Sequence, residues 1–284
     1  MSLQQTRITI VGIGLMGGSL VQSLKGHAGR LACVDNDPSV LELVRPLADE
    51  VNSDLSTLAG RTDLLILATP VRSIIGLIQE LPKLFPDGCG LLDLGSTKGE
   101  ICRMMEELPP AFQTIGGHPM CGKETSGYQA AAPDLYQGQT FILCRNSHTT
   151  PDVEQLALEI IDIVGARPFY LEPDTHDAFV AATSHVPYLT AAALMRSVSM
   201  LEDERVWRAS ASGFRDSSRL SGSDPKMMLD ILMTNAGPIL AQLSAYRSQL
   251  AQLEALLLAG DEAGLLGWLA RVHAQHHDYR DAVG

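Results

Sequence analysis

Three groups of residues in this 284-residue chain have the types and spacing that chemistry needs. The first is Gly12-Ile13-Gly14-Leu15-Met16-Gly17, set between a β-branched run ending at Val11 and a helix-like stretch from Ser19 to Leu24. Glycine at the first two of these positions lets the chain turn tightly and its backbone approach a pyrophosphate. The third lets strand and helix pack closely, and the helix N-terminus offers free N–H groups. Asp35, at the end of the next strand-like run, is placed to hold the diol of an adenosine ribose and to repel a 2′-phosphate. Asn36 and Asp37 add no cation, so NAD rather than NADP is the expected cofactor. A Gly-rich turn with no ligand is the alternative, which the strand and helix on either side disfavour.

The second group sits where further strand-like runs end: Thr69-Pro70, Gly95-Ser96-Thr97-Lys98 and His118-Pro119-Met120. In an open parallel sheet ligands lie beyond the carboxyl ends of the strands, so all three face the crevice of the glycines. Histidine titrates near neutral pH and can take a hydroxyl proton as hydride leaves carbon, which makes His118 the candidate base. Taken alone, a histidine is more often a hydrogen-bonded structural residue; the strand-end position favours chemistry. Ser96 either orients a hydroxyl or a nicotinamide, or caps the helix of Lys98 to Glu106. The third group lies in the second half. Arg219, with Asp216 beside it, offers a planar fork for a carboxylate, though by itself it would more often be a solvated helix end. His185, in an apolar stretch, reads by itself as a core histidine. His273 and His277 share a helix face at metal-binding spacing, but with His276, Asp278 and Asp281 around them a solvated chain end is preferred, and no metal is expected.

The elements that must position these residues follow from periodicity. Strand-like runs at Ile8 to Val11, Leu31 to Val34, Leu64 to Ala68, Gly90 to Leu94, Thr114 to Gly116, Thr140 to Cys144 and Pro168 to Leu171 alternate with helical spacing. Several are continuously apolar, as strands covered on both faces are. After Pro173 only helical periodicity continues. The expected fold is therefore α/β: an N-terminal Rossmann-type parallel sheet, residues 1–171, and a C-terminal all-helical domain, residues 172–284. Leu232, Ala236, Ile239, Leu243, Tyr246, Leu250, Leu253 and Leu257 form an a/d stripe, fit either for a core helix or for a dimer interface; Pro238 marks its start or a kink. A net charge of -12 argues against nucleic-acid binding. No unbroken apolar run approaches membrane-span length, no signal segment opens the chain, and five cysteines form no close pair. A cytoplasmic protein with no membrane or nucleic-acid partner is expected.

Together, Gly12 to Leu20, Asp93 to Lys98, Gly116-Gly117-His118-Pro119-Met120-Cys121-Gly122-Lys123-Glu124-Thr125-Ser126-Gly127, Ser184-His185-Val186-Pro187 and Gly213 to Arg219 resemble the prephenate and arogenate dehydrogenase family. The resemblance spans nearly the whole chain, and the G-H-P-M-x-G-x-E-x-x-G segment is its most specific part. It implies an NAD-dependent oxidative decarboxylation on the route to tyrosine. It implies His118 as catalytic base, Ser96 as its aid near the nicotinamide and Glu124 at the mouth of the site. It also implies Ser184 and His185 on the substrate side, Arg219 with Asp216 as carboxylate clamp, and a homodimer built through the helical domain. Many prephenate-using relatives carry a second histidine where this chain has Tyr188, which leaves the choice between a pyruvyl and an alanyl side chain to Tyr188 and its neighbours. The competing readings are another hydroxyacid dehydrogenase or imino-acid reductase on the same nucleotide-binding half, and a dinucleotide sensor without chemistry. The first commonly relies on a second-domain lysine, and Lys226 is the one lysine after Glu172.

Overall fold

The computed structural model describes residues 2–122, 125 and 127–283, which divide into two compact units, 1–236 and 237–284. In the first unit an eight-stranded sheet has the order β3-β2-β1-β4-β5-β6-β7-β8. The strands are β1 (Arg7–Val11), β2 (Arg30–Val34), β3 (Glu50–Asn52), β4 (Leu64–Leu67), β5 (Gly90–Asp93), β6 (Gln113–Pro119), β7 (Thr140–Cys144) and β8 (Arg167–Tyr170). Chain order reverses between β1 and β4, which opens a crevice beyond their carboxyl ends. Val11 pairs with Leu67 and Leu67 with Asp93, so three strands end level on that crevice.

Crossover helices cover both faces: α1 (Leu15–Leu24), α2 (Pro38–Val44), α3 (Val71–Leu84), α4 (Gly99–Glu106) and α5 (Pro151–Ile163). Starts are written into the sequence as a capping oxygen followed by proline: Asp37-Pro38 opens α2 and Thr150-Pro151 opens α5, each cap accepting a backbone N–H. Strand alternation then splits the core. Ile8, Ile10, Leu64 and Ile66 pack in one layer with Leu20 and Leu24 of α1 and Leu156 and Ile160 of α5. Val11, Leu65 and Leu67 pack in the other with Ile74 and Ile78 of α3 and Ile101 and Met105 of α4. Each such side chain contributes about 1.5–3 kcal/mol by leaving water.

The sheet departs from the expected all-parallel pattern at one place. β7 runs antiparallel to β6, and β8 then lies parallel to β7. Hydrophobic runs carry no direction, so periodicity could not register the reversal. β3, three half-buried residues, has too little pattern to be read at all.

Helix α6 (Pro173–Val180), a π-helical turn (Ala181–His185) and α7 (Val186–Ser199) form one continuous helical segment. By length and composition it could cross a membrane, with a mean hydropathy of 1.3 in its most apolar window. A reading of unbroken apolar runs passes over this segment because Thr183, Ser184 and His185 interrupt it while the average stays high. Its His176, Asp177 and His185 are buried and bonded to protein partners. Helices α8 (Arg205–Ala209), α9 (Ser212–Ser218) and α10 (Pro225–Thr234) complete the first unit, with α9 and the following 3₁₀ turn, Arg219–Gly222, packed on α7.

The second unit consists of the body of α11 (Ala236–Ala259) and α12 (Glu262–Val283). The expected stripe is not one helix: α10 stops at Thr234 and α11 restarts just before Pro238, which leaves Leu232 on the earlier helix. Proline lacks an N–H to donate and is best tolerated in a first turn, where α11 places Pro238.

Candidate active site

The glycine turn has the geometry of an anion cradle. Gly12 has φ +90°, a conformation that side chains rarely adopt, and a Cβ on Gly17 would stand 1.9 Å from the Gly12 carbonyl oxygen. A Cβ on Gly14 would meet nothing within 4 Å, so the backbone there lies open to a ligand. Gly14 begins α1 without a side-chain cap, which leaves the helix N-terminus with donors to give. The turn is anchored from outside: the buried Tyr136 hydroxyl donates to the Met16 carbonyl at 2.6 Å. Leu15 and Met16 are half-buried on the first turn. Asp35 stands at the end of β2 and accepts N–H bonds from Ile13 at 2.6 Å and Asp37 at 2.9 Å, which ties the carboxylate to the glycine turn. At the end of β4, Thr69 Oγ1 is buried without a hydrogen-bond partner, and Pro70 precedes α3 at the surface. An open glycine, an uncapped helix start and an orphaned hydroxyl fit a dinucleotide running across the crevice.

Beyond β5 and β6 the groups interlock. Asp93 accepts from Gly95 N at 2.8 Å and Gly117 N at 3.2 Å and pairs with the fully buried Lys98. A buried ion pair of this kind is tolerated only when its remaining oxygens are satisfied, as they are here. Ser96 lies half-buried in the turn between them. It does not cap α4. The cap is Asp177 of α6, whose Oδ1 and Oδ2 accept Lys98 N at 2.7 Å and Gly99 N at 2.8 Å. His176, next to it, reaches Asp177 Oδ1 with Nδ1 and His118 Nδ1 with Nε2, both at 2.8 Å. His118 lies inside β6 rather than after it, because the strand continues to Pro119 alongside β7.

The electrostatics follow from burial. His118 is held well below the ordinary histidine range by burial and by the neighbouring His176, Lys98 and His185, so the ring is neutral at pH 7 with a lone pair free to accept a proton. His176 is lowered for the same first reason. Burial pushes the Asp177 carboxyl up, but the bonds from His176, Lys98 and Gly99 outweigh it and hold the group below the usual carboxylate range. His185, in the π turn, is lowered to about 4 by burial, and its Nδ1 lies 3.1 Å from Asn235 Nδ2. Asn235 also donates to the main-chain oxygen of Asp177 at 2.8 Å. Single-turn π insertions recur at functional sites because they re-aim side chains.

The structure thus links His118 and His185 through His176, Asp177 and Asn235, places Ser96 in the adjoining β5–α4 turn, and sets the glycines, Asp35 and Thr69 along the neighbouring strand ends. Ser184 is exposed on the π turn and Tyr188 half-buried one turn on. Asp216 and Arg219 are exposed, on α9 and on the 3₁₀ turn packed against α7. Glu124 lies outside the described residues. Sequence reading missed His176, Asp177 and Asn235. The pair His176-Asp177 stood in a polar run after Pro173 that read as an interdomain connection, and only its position at the start of an apolar helix hinted at a buried role. Among the described residues no cluster of three metal-binding side chains occurs, and the rings of His273 and His277 are 4.7 Å apart on α12.

A family profile described as "Prephenate dehydrogenase, nucleotide-binding domain" matches residues 21–170, and one described as "Prephenate dehydrogenase, dimerization domain" matches residues 172–271. A prephenate dehydrogenase of Bacillus subtilis is 28% identical over 100% of this chain and 77% of its own length. A cyclohexadienyl dehydrogenase of Zymomonas mobilis is 27% identical over 91% of each. Among solved structures, a prephenate dehydrogenase from A. aeolicus in complex with hydroxyphenyl propionate and NAD+ superimposes with a TM-score of 0.89. It is 26% identical, over 98% of this chain and 100% of that one.

Proposed function

The chain belongs to the prephenate dehydrogenase family, and from that premise we propose that it catalyses the NAD-dependent oxidative decarboxylation of prephenate, of arogenate, or of both. The observation that carries the reading is the neutral His118 ring at the end of β6, on the crevice that the glycine turn opens. Bound NAD supplies the hydride acceptor; Gly12, Gly14, Leu15, Met16 and Gly17 with α1 hold its pyrophosphate, Asp35 its ribose, and Thr69 and Pro70 line its path. His118 takes the proton of the ring hydroxyl as that carbon loses hydride and becomes a carbonyl. The bond from the ring to its carboxylate then breaks, carbon dioxide departs, and the electron pair flows through the ring to the oxygen. His118 returns the proton there, and a phenol results. Aromatisation makes the sequence one-way.

Ser96 orients the reacting hydroxyl from the turn after β5. His185 and Ser184 contact the substrate from the π turn, Arg219 with Asp216 clamps a carboxylate, and Tyr188 helps choose the side chain; Glu124 completes the mouth of the site. The need for a cation is plain: a substrate with two carboxylates must enter a chain of net charge -12, and their desolvation has to be offset by a preorganised donor. We place the functional division at 171/172, with nucleotide binding before it and substrate binding and dimerisation after. The exposed leucines of α11 and α12 support a homodimer, and the unpaired thiols Cys33, Cys89, Cys102, Cys121 and Cys144 fit a reducing cytoplasm. The decisive experiment follows reduced nicotinamide absorbance with prephenate and arogenate, each with NAD and NADP. Turnover with NAD on a ring substrate is expected; silence on both would overturn the assignment.

A further inference from the structure

The hydrogen bonds around α6 determine where the protons sit. The amides of Lys98 and Gly99 can only donate, so the Asp177 carboxylate accepts at both oxygens and is ionised. His176 Nδ1, 2.8 Å from Oδ1, must therefore carry a hydrogen. A neutral imidazole has one N–H, so His176 Nε2 is a lone pair, and His118 Nδ1, 2.8 Å from it, must be the donor. That leaves Nε2 of His118 bare. On the other side, the bond from Asn235 Nδ2 to the Asp177 main-chain oxygen fixes which way the amide faces, and its second N–H points at His185 Nδ1. His185 consequently accepts at Nδ1 and keeps its proton on Nε2.

We propose that Asp177, through His176 on one side and Asn235 on the other, is a positioning residue that sets the two site histidines in opposite tautomers, His118 as acceptor and His185 as donor at Nε2. This rests on the reading of His118 as the base. The two tautomers complement a substrate that must give up a hydroxyl proton at one point and accept a hydrogen bond at another. Both depend on one helical turn. Asp177 also caps α4 and so steadies the turn that carries Ser96. When His118 gains a proton at Nε2, its Nδ1–H still points to His176 and the new charge lies one ring away from the anion. The two amides keep Asp177 ionised to offset that charge, and the proton taken at Nε2 of His118 remains available for return. The charged and titratable groups that face His118 are His176 and Asp177 from α6, Lys98 with Asp93 from the β5–α4 turn, and His185 from the π turn.

Nitrogen-15 NMR of the full-length enzyme labelled at histidine, without substrate, reads the tautomers directly, with His118→Asn and His185→Asn assigning the rings. The expected result at neutral pH is a proton on Nδ1 alone for His118 and on Nε2 alone for His185. In Asp177→Asn, when the amide nitrogen takes the Oδ1 position, it gives up the bond from Lys98 N, keeps the cap through Gly99 alone and donates to His176 Nδ1, which reverses both rings and puts the His118 proton on Nε2. That variant should lose about a hundred- to ten-thousandfold in kcat, as a wrong tautomer does elsewhere, with both KM values within about threefold. His176→Gln, which offers an acceptor to His118 and a donor to Asp177, should stay within about tenfold, whereas His176→Leu should fall with Asp177→Asn. A wild-type His118 protonated at Nε2, or a His176→Leu or Asp177→Asn enzyme whose His118 proton has moved to Nε2 with kcat unchanged, overturns the proposal. Should Asp177→Asn fail to fold, the wild-type and His176→Gln spectra decide it. Should no ring substrate turn over, the reaction is misread while the spectra still settle the tautomers.

Discussion

In the sheet-bearing unit β1 and β4 are buried almost end to end, and even the charged Lys98 and Asp93 are sealed in and paired. In the two-helix unit Leu240, Leu250, Leu257, Leu258, Leu266 and Leu269 stand 65%, 49%, 66%, 83%, 69% and 50% exposed. The first region has closed its own core and spends its buried polar groups on a site. The second has apolar surface without a core to match it, the signature of a surface completed by association. On the proposed reading, chemistry and assembly fall to different parts of one short chain, and each assignment can be broken separately.

The largest effect should come from the site. His118→Asn keeps a polar side chain that cannot take a proton, and should lower kcat by about a hundred- to ten-thousandfold with NAD affinity little changed. A rate within a few-fold of wild type, measured by steady-state kinetics, removes His118 from the mechanism. Arg219→Ala should come next, raising KM for the ring substrate by about ten- to a thousandfold and touching kcat less, as loss of a charge-assisted contact does. Lysine should restore only part of this. An unaltered KM excludes the clamp.

Acid should separate the two regions. His118, His176 and His185 all hold their pKa below the 6.5 of an unfolded histidine, so below about 6.5 the unfolded chain binds more protons and stability falls as pH falls. For His185, lowered to about 4, the loss is complete near that pH and is worth about 3 kcal/mol. Urea unfolding at pH 7 and at pH 4.5 should show it, with a flatter dependence in His185→Gln; a wild-type stability that does not change over that range contradicts the buried neutral histidines. The same lowering keeps His118 able to accept a proton below pH 6.5, so the acid limb of kcat/KM should lie under that value.

Assembly is tested by Leu250→Glu. Because Leu250 is half exposed in the single chain, the charge should leave the fold intact and weaken the dimer at least about tenfold. Light scattering that still finds a wild-type dimer places the interface elsewhere. The smallest effect is expected at the cofactor: Asp35→Ser with Asn36→Arg should raise the ratio of NADP to NAD use by about tenfold, since repulsion of a 2′-phosphate gives way to an ion pair. An unmoved ratio means that Asp35 does not face the ribose.

What could be read from the residues, and what could not, divides along a physical line. The glycine turn, the helix starts at Asp37-Pro38 and Thr150-Pro151, and the level ends of β1, β4 and β5 are local: a few neighbouring residues dictate them. Pro238 likewise announces, within a few residues, the restart of α11, whereas the antiparallel turn of β7 and the bond from His176 to His118 depend on partners far along the chain, and no spacing announces them. Ser96 shows the limit most clearly. Its position suggested a cap for α4, yet that role went to Asp177, which approaches from a different helix. Arg219 and Glu124 came from motif alone; the first is exposed on a turn packed against α7 and the second lies outside the described residues.

Each residue advances an α-helix by about 100°. The π turn from Ala181 to His185 inserts one residue into the long helical segment, so α7 leaves it rotated by about that angle from where an unbroken α-helix would have aimed it. Straightening the turn without losing a residue would swing Tyr188 and every later side chain of α7 by about a quarter turn, whereas deleting a single codon there would restore α-helical winding and leave them close to where they point now. His176 and Asp177, upstream of the insertion, would keep their places. The π turn is therefore a place where a residue can be gained or lost so that only the side chains of the turn itself, Ser184 and His185 among them, are rearranged, while His176, Asp177 and the face of α7 keep their directions.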